Sequence, residues 1–228
     1  MTNGLFQIYK MDQLIFKFPF VKKYFEQDFF VSSNNFSAFK LIESWPNWPS
    51  KWLNIFGTSG SGKTHLAKIL QKKIKNTKLL EAQNINDQTI QDLNNLDCLI
   101  IDGFKNNIDE KLLYSIFNQS KQLDNYLLIN SNQSIKNEDF KLEDLKSRIN
   151  SFLFIGIELP TDELLKVIIS KTLSDKQISI NPKISDFIIN NVERSYEKMF
   201  KFLKDVDELS LSTGKSININ LIKKVLNQ

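Results

Sequence analysis

The chain is best understood from one stretch, Trp52-Leu53-Asn54-Ile55-Phe56-Gly57-Thr58-Ser59-Gly60-Ser61-Gly62-Lys63-Thr64-His65-Leu66. An apolar run ends at Gly57, four small or polar residues follow, and Gly62 and Lys63 begin a segment with the apolar spacing of a helix. The pattern is G-x-x-x-x-G-K-[ST], in the strand-to-helix setting that a phosphate-binding loop requires. The alternative is a glycine-rich turn that only joins a strand to a helix. All eight positions and both flanks fit the loop, so we predict phosphate binding.

The chemistry of this loop follows from its residue types. Glycines adopt backbone angles that are closed to other residues, so successive N–H groups can surround a phosphate at the positive end of the following helix. The lysine would reach the β- and γ-phosphates, and the threonine hydroxyl would bind Mg²⁺. The predicted nucleotide-binding residues are Gly57, Thr58, Ser59, Gly60, Ser61, Gly62, Lys63 and Thr64.

A second element of the predicted site is Asp102, which follows the apolar run Cys98–Ile101. A carboxylate at the end of a buried strand can hold the water shell of Mg²⁺. Many strands end in a polar residue without such a role, so this signal is weak alone. Downstream of a complete phosphate-binding loop it becomes strong, and we predict that Thr64 and Asp102 form the Mg²⁺ site.

The pattern outside the loop predicts an α/β fold in which strands alternate with helices. Such alternation implies right-handed crossovers and a parallel sheet flanked by helices, with ligands at the carboxyl ends of the strands. Beyond Pro160 the pattern becomes helical and predicts a smaller helical lid. The predicted divisions are an N-terminal tail at 1–24, an α/β domain at 25–160 and a lid at 161–228. The predicted strands are 52–56, 78–82, 97–102, 126–129 and 152–157. The predicted helices are 34–44, 62–70, 87–93 with Asp87 as its cap, 109–123, 142–149, 161–173, 182–191, 193–211 and 220–228.

Composition sets broad limits on function. The 41% hydrophobic and 25% charged residues are typical of a soluble globular protein, and a net charge of +4 makes a weak case for a nucleic-acid surface. A single cysteine, Cys98, excludes an internal disulfide and lies in an apolar run, where we expect it to be buried. No signal peptide or membrane-spanning stretch is visible, so we expect a cytoplasmic protein.

Taken together, the motifs resemble the bacterial DnaA-like AAA+ proteins and, within them, the short Hda branch. The matching stretches are GTSGSGKTHL at 57–66, IIDG at 100–103, LINSN at 128–132 and LKSR at 145–148. The resemblance implies binding of ATP or ADP with Mg²⁺. It also implies three roles near a γ-phosphate: Asn132 as sensor I, Arg194 as sensor II, and Arg148 as an arginine finger that acts in trans. Most basic residues of the chain are lysines, so the two arginines stand out. The alternative for each is a surface arginine without a role at a nucleotide.

The residue after Asp102 departs from the pattern of hydrolysing relatives. Many AAA+ ATPases carry an acidic residue there that helps to activate the attacking water, whereas this chain has Gly103. Loss of a positioned general base typically lowers a rate by about 10² to 10⁴. We therefore expect weak intrinsic ATP hydrolysis.

The N-terminal tail carries a short peptide similar to the Q-L-x-L-x-L-like motif of the Hda branch. Members of that branch use it to bind the sliding clamp of DNA polymerase III. An amide followed by alternating apolar anchors suits a hydrophobic cleft. The predicted clamp-binding residues are Gln13, Leu14, Phe16 and Phe18; the alternative is an edge strand folded onto the chain's own core.

The resemblance thus implies a regulator of replication initiation that binds the clamp and promotes hydrolysis of ATP held by the initiator DnaA. Two alternatives remain: a stand-alone ATPase of the helicase-loader type, and an adaptor that tethers a partner to the clamp without catalysis. The lid pattern runs to Gln228 with no helix-turn-helix domain after it, so we do not expect direct sequence-specific DNA binding. Assembly into a homo-oligomer stays open.

Overall fold

A parallel sheet of five strands forms the centre of the molecule. The computed structural model describes residues 29–175, 178 and 180–227. The strands lie in the order β2-β3-β4-β1-β5, and each pair of neighbours is parallel. Their bounds are β1 Trp52–Phe56, β2 Thr77–Glu81, β3 Cys98–Phe104, β4 Tyr126–Ser131 and β5 Leu153–Gly156.

Helices connect the strands and then continue alone to the C-terminus. In the described part of the chain they are α1 Phe36–Glu43, α2 Lys63–Lys73, α3 Asp87–Asp92, α4 Glu110–Gln122, α5 Glu143–Ile149, α6 Asp162–Ser174, α7 Pro182–Asn191, α8 Tyr196–Thr213 and α9 Ile219–Leu226. No strand follows β5 among these residues. None of the described helices is long and apolar enough to span a bilayer. The predicted fold class, a parallel sheet between helices plus a helical lid, is confirmed.

Two apolar clusters cover the two faces of the sheet. One face packs against α3, α4 and α5, and its centre includes Leu113, Ile116 and Phe117. The other packs against α1 and α2 and includes Ile42 and Leu66. Because the central strands are buried on both faces, they form the continuous apolar runs that parallel sheets require.

One buried polar side chain locks the carboxyl ends of β1 and β4 together. Asn54 is fully buried, and its Nδ2 donates to the Ile129 carbonyl and to Ser131 Oγ, both at 2.9 Å. Its Oδ1 accepts from the Ile135 N–H at 3.1 Å. A buried amide with all these bonds fixes the chain path after β4, at the sheet edge where ligands of this fold class bind.

The helices α6 to α9 form a third apolar cluster, centred on Ile169, Met199 and Leu203. A hydrogen-bonded junction joins this cluster to the sheet. Tyr196 is 2% exposed, and its hydroxyl contacts the Asn34 amide and the Glu158 carbonyl. Burial raises the pKa of Tyr196 to about 12, partly opposed by the bond to Asn34. The junction holds the first turn of α8 over the carboxyl edge of the sheet.

Helix ends agree with the predicted ones to within a few residues, with one different cap. We predicted that Asp87 caps α3. The structure instead places Asn86 at the N-cap, where its N–H donates to Thr89 Oγ1 at 3.3 Å. Asp87 follows as the first helical residue, where its negative charge still interacts favourably with the helix dipole.

Candidate nucleotide site and arginine positions

The predicted phosphate-binding loop leaves the carboxyl end of β1 and enters α2, as its sequence requires. Gly60 and Gly62 have φ values of 83° and 97°, a left-handed region that strains other residues. Gly57 is needed for a different reason, because a Cβ there would lie 2.8 Å from the Ile157 carbonyl oxygen. Its N–H donates to the Ser131 carbonyl at 3.2 Å, which ties the loop to the end of β4.

The Lys63 ammonium lies inside this loop. Its Nζ donates to the carbonyls of Gly57 and Thr58 at 2.7 and 3.0 Å, and the residue is only 8% exposed. Burial lowers the pKa of Lys63, while the charge of Asp102 opposes that shift. Among the described residues Lys63 forms no ion pair within 4.0 Å. A buried cation held only by neutral carbonyl and hydroxyl oxygens favours an anionic ligand, so the loop fits a phosphate group.

The predicted Mg²⁺ ligands meet across the gap between α2 and β3. The Thr64 hydroxyl donates to Asp102 Oδ2 at 2.7 Å. In the described part of the chain no three His, Cys, Asp or Glu side chains come together as a metal site. A hydroxyl and one carboxylate are what Mg²⁺ takes from the protein when nucleotide phosphates and water supply its other ligands. These two residues fit that ion.

A buried asparagine on β4, which we did not predict, also binds Asp102. Asn130 is fully buried, and its Nδ2 donates to Asp102 Oδ1 at 2.9 Å. Its Oδ1 has no partner among the described residues, although it too is buried. Both oxygens of the carboxylate are therefore held, one by Thr64 and one by Asn130.

The residue predicted as sensor I, Asn132, lies elsewhere. It is exposed and follows the last residue of β4. The predicted strand 126–129 ended two residues early, so Asn130 and Asn132 both looked like strand-end residues. The structure brings Asn130, and not Asn132, against Asp102; the sensor role of Asn132 stays a prediction.

Gly103 occupies an irregular point of β3. Its φ is 70°, and the pairing of β3 with β4 shifts register between Ile101 and Phe104. A Cβ built on Gly103 meets nothing within 4 Å. The position is therefore open, but its backbone is one that an acidic residue adopts only with strain.

The predicted arginine finger lies at the opposite end of the sheet from the loop. Arg148 is in the last turn of α5, just before β5 begins. Its half-buried side chain donates from Nε to Asn118 Oδ1 at 2.7 Å. The neighbouring residue Phe117 packs on Trp52, the first residue of β1, with ring centroids 5.7 Å apart. Gly57 follows Trp52 by five residue steps along β1, a length of about 16 Å.

The predicted sensor II, Arg194, pairs within the helical lid. It lies between α7 and α8, its side chain is 58% exposed, and its Nη2 lies 2.6 Å from Asp162 Oδ1. The α8 residues that do approach the loop are Tyr196 and Phe200. A Cβ on Gly60 would lie 3.0 Å from Tyr196 and 3.3 Å from Phe200. The role of Arg194 stays a prediction, and so does that of Gln13, Leu14, Phe16 and Phe18, which lie outside the described residues.

Comparisons with known proteins identify sequences similar to this chain. A family model described as "Hda, lid domain" matches residues 162–226. The chromosomal replication initiator protein DnaA of Buchnera aphidicola is 29% identical, over 91% of this chain and 53% of that protein. An uncharacterized protein of Haemophilus influenzae is 23% identical, over 88% of this chain and 92% of its own length. The chain thus spans about half the length of the DnaA relative.

Solved structures show the same fold. Domain III of the Thermotoga maritima replication initiation protein DnaA superposes with a TM-score of 0.72 at 16% identity, covering 88% of this chain and 94% of that one. The AMPPCP-bound DnaA of Aquifex aeolicus superposes with a TM-score of 0.65 at 18% identity, covering 82% and 66%. The second of these binds an analogue of ATP.

Proposed function

Because the chain is a DnaA-like AAA+ protein with a lid of the Hda type, we propose that it promotes hydrolysis of ATP bound to the initiator DnaA. In this proposal the chain binds ATP or ADP with Mg²⁺ in its own loop, and the sliding clamp of DNA polymerase III through Gln13, Leu14, Phe16 and Phe18. Arg148 enters the nucleotide site of DnaA. Hydrolysis there would make the initiator inactive for a further round.

The position of Arg148 is the observation that carries the proposal. The residue lies at the amino-terminal edge of the sheet, about 16 Å along β1 from the chain's own phosphate-binding loop. It cannot stabilise a transition state in that loop, so a catalytic role requires the nucleotide of another molecule. Its Nε is bound by a neutral amide, which leaves the full positive charge of the guanidinium for a phosphate. Arginine fingers supplied in trans are worth about 10³ to 10⁵ in rate.

The chain's own nucleotide has a structural role in this proposal. Lys63, Thr64 and Asp102 form a site for a phosphate and Mg²⁺, and α8 covers the loop through Tyr196. Gly103 supplies no carboxylate for activating a water molecule. We therefore propose that the bound nucleotide fixes the angle between the sheet and the lid, with little turnover.

The test is a reconstituted assay that contains ATP-loaded DnaA, clamp-loaded DNA and this protein, with phosphate release as the readout. The proposal predicts that Arg148→Ala removes the stimulation, because the variant no longer adds a guanidinium to the transition state. Lys146→Ala is the matched control, since Lys146 is an exposed cation on the same helix. It should keep the stimulation, and clamp binding should be intact in both variants.

The same assay separates the alternatives. A stand-alone ATPase would release phosphate without DnaA and would lose that activity in Lys63→Ala. A non-catalytic adaptor would tolerate both Lys63→Ala and Arg148→Ala. The double variant Leu14→Ala and Phe16→Ala tests binding to the sliding clamp. If that binding is required, this variant should not stimulate hydrolysis of the ATP held by DnaA. Unchanged stimulation in Arg148→Ala would refute the assignment of the finger.

A further inference from the structure

An irregular point in the sheet places Asp102 against Asn130. The register of β3 and β4 shifts after Ile101, so that two residues of β3 lie opposite one residue of β4. The two are Asp102 and Gly103, and the one is Asn130. This two-to-one pairing, with a glycine at a φ of 70°, is that of a β-bulge, which changes the direction of the side chains beside it.

The side chain of Asn130 lies on the sheet face that α2 covers. Ile55, its register partner on β1, packs in the apolar cluster between the sheet and α2. Leu128, two residues earlier on β4, packs in the same cluster, and alternate residues of a strand share a face. The fully buried amide is therefore on the side from which Thr64 binds the other oxygen of Asp102.

The Asn130 amide is only half satisfied by the protein around it. Its Nδ2 donates to Asp102 Oδ1 at 2.9 Å, whereas its buried Oδ1 accepts from no group in the described part of the chain. Turning the amide over would place its oxygen against a carboxylate oxygen, so the ionised Asp102 fixes this orientation. Asn54 is equally buried, but its Oδ1 accepts from the Ile135 N–H. An acceptor without a donor at a ligand-binding edge indicates that the donor arrives with the ligand.

The donor that suits this oxygen is water bound to a metal ion. Mg²⁺ keeps several water molecules when it binds beside nucleotide phosphates, and the cation makes that water a strong donor. Ionised phosphate oxygens only accept. Lys63 Nζ, the nearby cation, already donates to the carbonyls of Gly57 and Thr58.

We propose that Asn130 is a positioning residue of the Mg²⁺ site: its Nδ2 holds Asp102, and its Oδ1 accepts a hydrogen bond from a water molecule bound to Mg²⁺. This inference rests on the proposed binding of nucleotide and Mg²⁺ in the chain's own loop, and it does not involve Arg148. Residues that hold a metal ligand in place are typically worth about 10 to 100-fold in metal affinity. The role requires no γ-phosphate, so binding of ADP and of ATP should depend on Asn130 alike.

The test measures the dissociation constant of ADP by titration calorimetry, once with Mg²⁺ and once with EDTA. The constant with EDTA divided by the constant with Mg²⁺ is the Mg²⁺ ratio. Asn130→Val, a strand-forming change that removes both polar groups, should lower this ratio by about 10 to 100-fold, or to one where the wild-type ratio is smaller. The constant with EDTA should stay at the wild-type value, because Asn130 acts on the ion and not on the nucleotide. Asn130→Ala should give the same result and is the second variant if valine alters the fold.

Asn125→Val is the matched control for the loss of a buried amide. Asn125 immediately precedes β4 at the other end of the strand, is 5% exposed, and donates to the Leu93 carbonyl at 2.9 Å. Its valine variant should lower the melting temperature by about 2 to 4 °C, because the Leu93 carbonyl loses its donor, and should keep the Mg²⁺ ratio. Asn130→Val should melt close to the wild type without nucleotide, since it also removes an acceptor that lacks a donor.

A double variant tests whether Asn130 acts through Asp102. Asp102→Asn should lower the Mg²⁺ ratio to about one, since it removes the carboxylate from the site. Adding Asn130→Val to it should cause no further change in ADP binding, because residues that act as a unit are not additive. A further weakening in the double variant would overturn the action through Asp102.

The remaining outcomes separate Asn130 from the site as a whole. A wild-type Mg²⁺ ratio in Asn130→Val, or an equal weakening with Mg²⁺ and with EDTA, overturns the positioning role alone. A loss seen with ATP and not with ADP also overturns it, since the residue would then respond to the γ-phosphate. A ratio of one in the wild type overturns the proposed Mg²⁺ site and the role of Asn130 with it.

Discussion

Changing Gly103 to Glu tests why this chain should hydrolyse its own ATP slowly. The residue has a φ of 70°, and a Cβ there meets nothing within 4 Å. The stability lost in Gly103→Glu therefore comes from the backbone conformation and not from a steric clash. A left-handed backbone costs an L-residue about 1 to 2 kcal/mol. The smaller entropy of the unfolded variant offsets about 0.4 to 1 kcal/mol of this. The net loss of about 1 kcal/mol corresponds to a melting temperature about 2 to 4 °C lower for a chain of this size.

The added carboxylate should not restore catalysis. It would extend from a left-handed backbone whose Cβ has no neighbour within 4 Å, so we expect no contact that fixes it beside Thr64 and Asp102. A general base contributes its 10² to 10⁴ only when it is within hydrogen-bond reach of the water it activates. We therefore predict that phosphate release by the purified Gly103→Glu protein rises by less than about 10-fold.

Two glycine-to-alanine variants measure what the left-handed backbone alone costs in stability. Gly214 ends α8 with a φ of 63°, and a Cβ there also meets nothing within 4 Å. Gly214→Ala and Gly103→Ala should therefore lower the melting temperature by the same amount. A rise in hydrolysis of about 10²-fold or more in Gly103→Glu would contradict this prediction. So would an unchanged melting temperature in Gly103→Glu beside a lowered one in Gly214→Ala.

Two further predictions concern the Tyr196 junction and the contact of Glu110 with the start of α5. At pH 8, Tyr196→Phe should lower the free energy of unfolding by about 1 kcal/mol. Because the pKa of Tyr196 is raised from 10.0 to about 12 in the folded protein, the wild type should lose this advantage as pH rises from 10 towards 12, as urea denaturation would show. The pKa of Glu110 is lowered by the backbone N–H groups of Lys141 and Leu142, so its stabilisation exists above its unfolded value of 4.5 and is lost as pH falls through its folded value. Glu110→Gln should reduce this acid-induced loss, and identical acid denaturation curves for wild type and variant would contradict it.

Local sequence was sufficient to place the predicted phosphate-binding loop between β1 and α2 and to place Asp102 on β3. The residue types and spacing that indicate the loop lie within one strand, one turn and the start of one helix. The fold class was predictable for a similar reason, since apolar runs that alternate with helical spacing leave few arrangements other than a parallel sheet. The helix bounds followed from caps and prolines that act within a few residues.

Long-range contacts were not predictable. Asn130 meets Asp102 because β3 and β4 are neighbours in one register, and the sequence gives neither the neighbour nor which strand residue faces the carboxylate. Asn118 and Arg148 are 30 residues apart, and their contact depends on how α4 crosses α5. The ion pair of Arg194 with Asp162 depends likewise on the packing of the lid helices.

The proposed action of Arg148 on a nucleotide held by another molecule is measured by single-turnover hydrolysis of γ-labelled ATP preloaded on DnaA, with this protein and clamp-loaded DNA in excess. The wild type should accelerate the loss of label, whereas Arg148→Ala and Arg148→Lys should not, since lysine keeps the charge but lacks the planar fork. Acceleration by Arg148→Ala equal to that of the wild type would contradict a catalytic role for Arg148.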